Sequence, residues 1–322
     1  MNLHRKFGAA LAALAGAACV AGAAQAADFP NRTLRIIVPY QPGGSTDIVV
    51  RKFAELAAPE LGQSIIIENK GGAGATMGAR TLATATPDGY TLAILPSPVF
   101  RMPHIQNVGY DPTRDFTYVM MLSGYTLGVA VAADAPYRNW GEFIAHAKAH
   151  PGDVAYGTAS VGSASNVMME DIAARNGVSW RHVPYKGESD VIQGVMGGQL
   201  TAYAGSTTVL PMVQSGKMRM LVTWGGHRSA QFPDVPSLNE LDGTPAVYAP
   251  FGIAAPKNLP ADVRKTLHDT FKRVAQSDAF KEVLTQYGQE LVYMDGETYA
   301  AYAAEQFEAE KAIVKKLGLA GN

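Results

Sequence analysis

The chain has 322 residues, 47% hydrophobic and 17% charged, with a net charge of −1. That length holds two domains of ordinary size. The balanced charge offers neither the basic excess of a nucleic-acid binder nor the charge block of a disordered tail. At the N-terminus, His4, Arg5 and Lys6 precede an apolar run from Ala9 to Ala24, which ends Ala24-Gln25-Ala26. This is the n-region, h-region and A-x-A site of a secretory signal peptide, so residues 1–26 are expected to be cleaved. The one cysteine, Cys19, lies inside it, and Gly16 stands where a lipidation signal wants a bulky apolar residue. The mature chain then has no disulfide and no thiol chemistry. No later run reaches the ~18 apolar residues of a transmembrane helix, so a soluble, periplasmic protein is expected.

The first element after the leader organises the rest. Leu34 to Val38 reads as a short buried strand, ended by Pro39 and Pro42. Gly43 and Gly44 let the backbone approach whatever lies above them. Ser45, Thr46 and Asp47 are all suited to cap a helix, and Val49, Phe53 and Leu56 follow at helical spacing. Strand, glycine turn and helix start together form an anion site, where free N–H groups and the positive helix end face one point. The same residues also describe an ordinary strand-to-helix turn.

Ser64 to Glu68 is a second strand, followed by the glycine-rich loop Gly71 to Gly78 and a helix to about Ala85. Pro87-Asp88-Gly89 is a turn, and Tyr90 to Leu95 a third strand. Two successive strand–helix–strand steps predict a parallel sheet with helices on its faces. Ser97 sits just past the third strand, at the end where open α/β sheets bind ligands. An apolar run from Val119 to Ala132, interrupted by Ser123-Gly124, leads into a second unit. Asn139 and Glu142 form a capping box. Strands are then predicted at Val154–Tyr156, Trp180–Tyr185, Leu200–Ala204 and Met218–Thr223, with helices after the loop from Gly157 to Asn166 and from Ser189 to Met196. That loop repeats the opening pattern of strand, small-residue loop and helix start. Pro233, Pro236 and Pro245 mark an irregular return to a strand at Phe251–Ala255. Pro260 opens a helix with Val263, Leu267, Phe271 and Val274 on one face, and a last helix runs from about Glu297. The order predicts two lobes, 27–125 plus 230–322 and 126–229, with a cleft between them.

Catalytic patterns are missing. Glu142, His146 and His150 share a helix face, yet without an HExxH pattern they read as a solvated face and not as a metal site. Gly72, Gly74 and Gly78 are spaced one residue too long for a dinucleotide loop. No G-x-S-x-G elbow and no phosphate loop is present. His182, in an apolar strand, reads as a packing residue, and Asp47 as a first-turn acid before an acid/base. Lys186 either counters a ligand charge or is an exposed turn lysine. Trp140, Trp180 and Trp224 are expected in the core. The residues thus describe a binding site for a small anion, with no catalytic residue, cofactor or metal.

With these loops on the page, the chain from Phe29-Pro30 to Leu317-Gly318 resembles the Bug family, the extracytoplasmic substrate-binding components of tripartite tricarboxylate transporters. The resemblance rests on Ile37-Val38-Pro39-Tyr40, Pro42-Gly43-Gly44-Ser45-Thr46-Asp47 and Ile67-Glu68-Asn69-Lys70 with Gly72-Ala73-Gly74. It also rests on Pro87 to Thr91, Tyr110-Asp111-Pro112, Val183-Pro184-Tyr185-Lys186-Gly187 and Phe232 to Ser237. It implies an α/β, two-lobed periplasmic binding protein of type II, each lobe a mixed sheet flanked by helices. The implied activity is capture of a small carboxylate and delivery to membrane transporter subunits, by a monomer with no nucleic-acid partner. Candidate ligand contacts are Tyr40, Gly43, Gly44, Ser45, Asp47, Ala73 and Ser97 in one lobe. In the other they are Thr158, Ser163, Ala164, Asn166, Tyr185, Lys186 and Ser206. Two departures stand out. Asn166 replaces a frequent histidine, and the segment Tyr203 to Thr207 lacks a common aspartate that would pair with a ligand amino group. These changes favour a dicarboxylate or an aromatic carboxylate. A ligand sensor for a histidine kinase and an exported enzyme acting on a carboxylate are the alternative classes.

Overall fold

Four of the five residues of β1 (Leu34–Val38) are buried, as in a parallel strand covered on both faces by helices. The computed structural model describes residues 29–159, 161, 163–185, 187–245 and 247–316. The leader expected at 1–26, with Cys19, and the candidate Lys186 lie outside the described residues. After β1 come α1 (Ser45–Leu61), β2 (Ile65–Asn69), α2 (Met77–Ala83), β3 (Thr91–Pro96) and the short α3 (Pro98–Arg101). β1 pairs in parallel with both β2 and β3. β4 (Phe116–Ala132) is followed by α4 (Trp140–Ala149), β5 (Ala155–Thr158), α5 (Ala164–Asn176) and β6 (Arg181–Pro184). Then come α6 (Glu188–Met196), β7 (Ala202–Ser206), α7 (Leu210–Gln214) and β8 (Met218–Thr223). β5 pairs in parallel with β6 and β7, so the opening arrangement is repeated. α8 (Leu238–Asp242), β9 (Tyr248–Pro256), α9 (Ala261–Gln276), α10 (Asp278–Gln286), β10 (Gln289–Asp295) and α11 (Gly296–Lys316) complete the chain.

The strands form one mixed sheet of 10 strands, with β4 common to both halves. Its first part runs antiparallel to β9 and β10, and its last part antiparallel to β7 and β8. The apolar run interrupted by Ser123-Gly124 lies within one strand, whose pairing with β9 shifts register between Met121 and Ser123. Gly124 lies where the backbone of Pro250 and the side chain of Val292 approach so closely that an added Cβ would stand 3.2 and 3.1 Å from them.

The sheet is covered as its apolar pattern requires. Val49, Phe53 and Ala57 of α1 pack with Leu267 and Phe271 of α9 and Phe280 of α10. Phe53 meets Phe271 and Phe280 edge-on at 5.3 and 5.1 Å, each such pair adding ~1 kcal/mol beyond burial. Tyr299 and Ala303 of α11 cover the opposite face over Ala93, Leu95 and Ala254. In the other half Trp140, Phe143, Tyr156 and Trp224 share a core with Leu127 and Val129 of β4; Trp180 is only half-buried. α10 and β10 fall in a stretch for which the sequence predicted no element. Ser277 stops α9 and caps α10 by accepting from Phe280 N–H at 3.2 Å.

Gly252 of β9 shows how tightly the first half is closed. A Cβ there would overlap the Tyr299 ring and stand 2.7 Å from the Met120 carbonyl oxygen. Tyr299 is itself held by donating to the Leu95 carbonyl at 3.3 Å. Gly252→Ala is expected to destabilise by ~1–3 kcal/mol through overpacking. The urea midpoint should fall with an unchanged slope, and an unchanged midpoint would show that α11 yields freely.

Candidate functional site

The C-terminal ends of β1, β2 and β3 carry three loops that touch one another. A Cβ on Gly71 would lie 3.2 Å from the Gln41 amide nitrogen and 3.5 Å from Tyr40 backbone. One on Gly74 would lie 3.3 Å from the Met102 sulfur, just beyond α3. Tyr40, Gly43, Gly44, Ser45, Asp47, Ala73 and Ser97 therefore share one end of the first half-sheet. Ala73 and its neighbour Ala75 hold φ of +47 and +66, a left-handed backbone that costs residues with a Cβ about 1 kcal/mol or more.

The start of α1 differs from expectation in one respect. Gly44, and not Ser45, Thr46 or Asp47, is the N-cap, and no side chain caps the end. The first-turn N–H groups therefore have no intrahelical acceptor. Ser45 Oγ instead accepts from Gln289 Nε2 at 3.1 Å and lies 3.4 Å from the Tyr287 carbonyl. The hydroxyls of Thr46 and Tyr125 share a hydrogen bond of 2.7 Å. Asp47 is buried and wholly engaged. Its Oδ2 accepts from Gly43 N–H and Arg51 Nε at 2.9 Å each, and its Oδ1 from Asn69 Nδ2 at 2.7 Å. Burial alone would raise its pKa, but these bonds and the Arg51 charge hold it below the usual carboxylate range. Asp47 thus shapes the loop from within, and the Gly43 N–H is spent on it. Gly44 and Ser45 keep the open helix end.

In the second half, Thr158, Ser163, Ala164, Asn166, Tyr185 and Ser206 lie at the matching ends of β5, β6 and β7. Several face inward. Thr158 Oγ1 is 2.8 Å from His182 Nε2, and His182 stacks on Tyr156 at 5.0 Å. Burial lowers the His182 pKa, with Glu170 opposing, which fits the expected packing role. Ser163 caps α5 by accepting from Asn166 N–H at 3.2 Å. Buried Asn166 donates to the Tyr156 hydroxyl at 2.8 Å. The Tyr185 hydroxyl lies against Gly194 of α6.

A short segment that sequence reasoning missed bridges the two ends. Tyr287-Gly288-Gln289 meets Ser45 on one side, and on the other the Gly288 carbonyl accepts from Thr207 Oγ1. Gly288, at φ +70, leaves no room for a Cβ beside that hydroxyl. Two more polar residues were missed. Tyr125 stands on β4 between the halves, with its pKa raised by burial. Glu188, in the first turn of α6, accepts from Ser206 N–H at 2.9 Å, Ser206 Oγ at 2.6 Å and Thr208 Oγ1 at 2.5 Å. Burial likewise raises the Tyr40 pKa, and Tyr125 and Glu188 add to the shift, which sets Glu188 within electrostatic reach of both tyrosines. Glu142, His146 and His150 do not form a metal cluster. His146 pairs with Asp153 at 3.0 Å, Glu142 closes the Asn139 capping box, and no metal-ligand group of three is found among the described residues.

This geometry, two parallel-strand ends facing one segment, can be set against known proteins. The family described as the tripartite tricarboxylate transporter family receptor matches residues 49–319. The chain belongs to this receptor family. A UPF0065 protein from the gbd 5′ region of Cupriavidus necator is 42% identical over 97% of this chain and 95% of its own. The structure of the periplasmic binding protein BugD superposes with a TM-score of 0.77 at 27% identity, over 91% of this chain and all of that one. MatC from Rhodopseudomonas palustris, with bound malate, gives 0.74 at 27% identity over 89% of this chain and 100% of its own. The α/β fold, with a curled mixed sheet and flanking helices, is that of the Bug receptors. No helix among the described residues is long and apolar enough to cross a membrane.

Proposed function

We propose that this receptor captures a small carboxylate in a cleft between the two strand ends and delivers it, in the periplasm, to the membrane subunits of a tripartite tricarboxylate transporter. The observation that carries the reading is the start of α1. There an uncapped helix end, with the hydroxyls of Ser45 and Thr46 fixed beside it, presents positive charge and donors to an anion. Family membership and the malate complex of MatC support it. A receptor needs no reacting group, and Asp47 and His182, the residues weighed as acid or base, are already engaged. The lobes would be 27–125 plus 230–322 and 126–229, closing as a hinge about β4 and the Tyr287–Gln289 segment.

A thermal-shift panel of mono-, di- and tricarboxylates, aromatic acids and neutral sugars tests the ligand class. A carboxylate at ~100 times its dissociation constant should stabilise the fold by ~2.7 kcal/mol. Scattering with and without that ligand should show compaction. Response to sugars alone, or turnover of the acid, would overturn the assignment.

A further inference from the structure

The turn between α10 and β10 joins both halves of the sheet to the start of α1 through buried polar groups. Thr207, the first residue after β7, is buried and donates to the Gly288 carbonyl. The next residue along the turn, Gln289, is buried as well and its amide is held at both ends. Ser123 Oγ of β4 donates to its Oε1 at 2.8 Å, which aims its Nε2 at Ser45 Oγ, 3.1 Å away. The Tyr125 hydroxyl bonds into the same cluster, to Ser45, Thr46 and Gln289. Two adjacent residues and a hydrogen bond at each end therefore connect Thr207 to Ser45.

This link cannot stay as it is when one half moves against the other. Thr207 follows β7 of the second half, whereas Ser45 belongs to α1 of the first. Gly288 packs tightly against Thr207, for a Cβ there would stand 2.6 Å from Thr207 Oγ1. The turn also borders an open recess of about 310 Å³, lined further by Gln231, Lys281 and Glu290, which gives it space to shift. Gln289 fills an acceptor site of the Ser45 hydroxyl, so the Ser45 proton points elsewhere. It reaches the Tyr287 carbonyl only at 3.4 Å, longer than an ordinary hydroxyl hydrogen bond. An anion can take that proton over at little cost.

Resting on the carboxylate-receptor reading, we infer that this turn couples the position of the second half to the anion site, with Thr207 as a positioning residue that acts through Gly288 and Gln289 on Ser45. With Thr207 seated, Gln289 keeps the Ser45 proton available to the carboxylate. With the turn released, Ser45 is free to present a lone pair instead. By linkage, a bound anion favours the arrangement of halves in which Thr207 is seated.

The test uses the mature protein, its Thr207→Val and Thr207→Ser variants, and each of these combined with Ser45→Ala. Calorimetry with succinate, malate, glutarate and benzoate measures affinity, and circular dichroism confirms folding. Thr207→Val keeps the shape and loses the hydroxyl, and should weaken any acid that binds about fivefold or more. Thr207→Ser keeps the hydroxyl and should bind nearly as the wild type does. In the Ser45→Ala background Thr207→Val should change affinity less than about twofold, because the group it acts on is gone. A second readout needs no ligand. The only cysteine of the sequence is Cys19 in the leader, so spin labels go to Glu55→Cys on α1 and Lys148→Cys on α4, both exposed. Their separation should be more broadly distributed with Thr207→Val than with Thr207→Ser. If the valine and serine variants match in affinity or in label separation, or if the valine effect persists without Ser45, the turn carries no such coupling and the carboxylate reading stands. If no acid binds the wild type, both readings fall.

Discussion

Aspartate in place of Ser45 is expected to weaken carboxylate binding about thirtyfold or more, ~2 kcal/mol, while leaving the protein folded. Ser45 is the first residue of α1 behind the Gly44 cap, and an acid in a first turn suits the helix dipole. Its carboxylate can still accept from Gln289, as Ser45 Oγ does at 3.1 Å. Ligand binding suffers, because the new charge occupies the positive end that the ligand is drawn to. Ser64→Asp is the matched control. Ser64 is exposed, and only its carbonyl is engaged, by Leu34 N–H at 2.9 Å. Calorimetry on both variants, with circular dichroism for folding, decides. Equal affinities would place the anion site elsewhere.

Leucine in place of Glu310 is expected to cost about 3–5 kcal/mol of stability. Glu310 on α11 accepts from Arg101 Nε at 2.6 Å and its terminal nitrogen at 2.7 Å, and both side chains are less than a tenth exposed. The pair is two-pronged and desolvated, so removing the acid leaves a guanidinium in low dielectric without its main counter-charge. Arg101→Met with Glu310→Leu should recover most of the loss, since a well-packed apolar pair avoids the desolvation penalty. Urea melts of the two single variants and the double variant measure this. A single variant as stable as the wild type would show that water reaches Arg101. Because Arg101 ends the helix that begins just past Ser97, Glu310→Leu should also loosen that loop.

The opening strands and the glycine loop proposed to hold the anion were legible in the sequence because the signals are local. Leu34 to Val38, two glycines and the helical spacing of Val49 and Phe53 occupy one short stretch, and each propensity agrees with its neighbours. The cap was misread because Ser45, Thr46 and Asp47 share the same preference. What chose Gly44 was Asp47 turning to Gly43, Arg51 and Asn69, and Asn69 lies on another strand. Glu188 carried no sequence signal beyond an acid in a first turn; its donors come from β7 and the turn after it. Tyr125 and Tyr287–Gln289 were silent for the same reason, since their meaning arises only when β10 pairs with β4. The second-half candidates are less exposed than their small-residue loop suggests. Thr158 and Asn166 are drawn inward by His182 and Tyr156, aromatic partners that periodicity does not reveal.

The shared strand also sets the timetable of folding. The first part of β4 is flanked by β9 and β10, both of which emerge from the ribosome long after it. Its last part finds β7 and β8 earlier. A partly synthesised chain therefore carries an apolar strand whose leading half has two bare edges, a slow, long-range arrangement exposed to aggregation. The same delay keeps the first half from locking before the chain is nearly complete. Truncation before β10 should therefore yield aggregate and not a stable fragment, whatever the local quality of the helices already made.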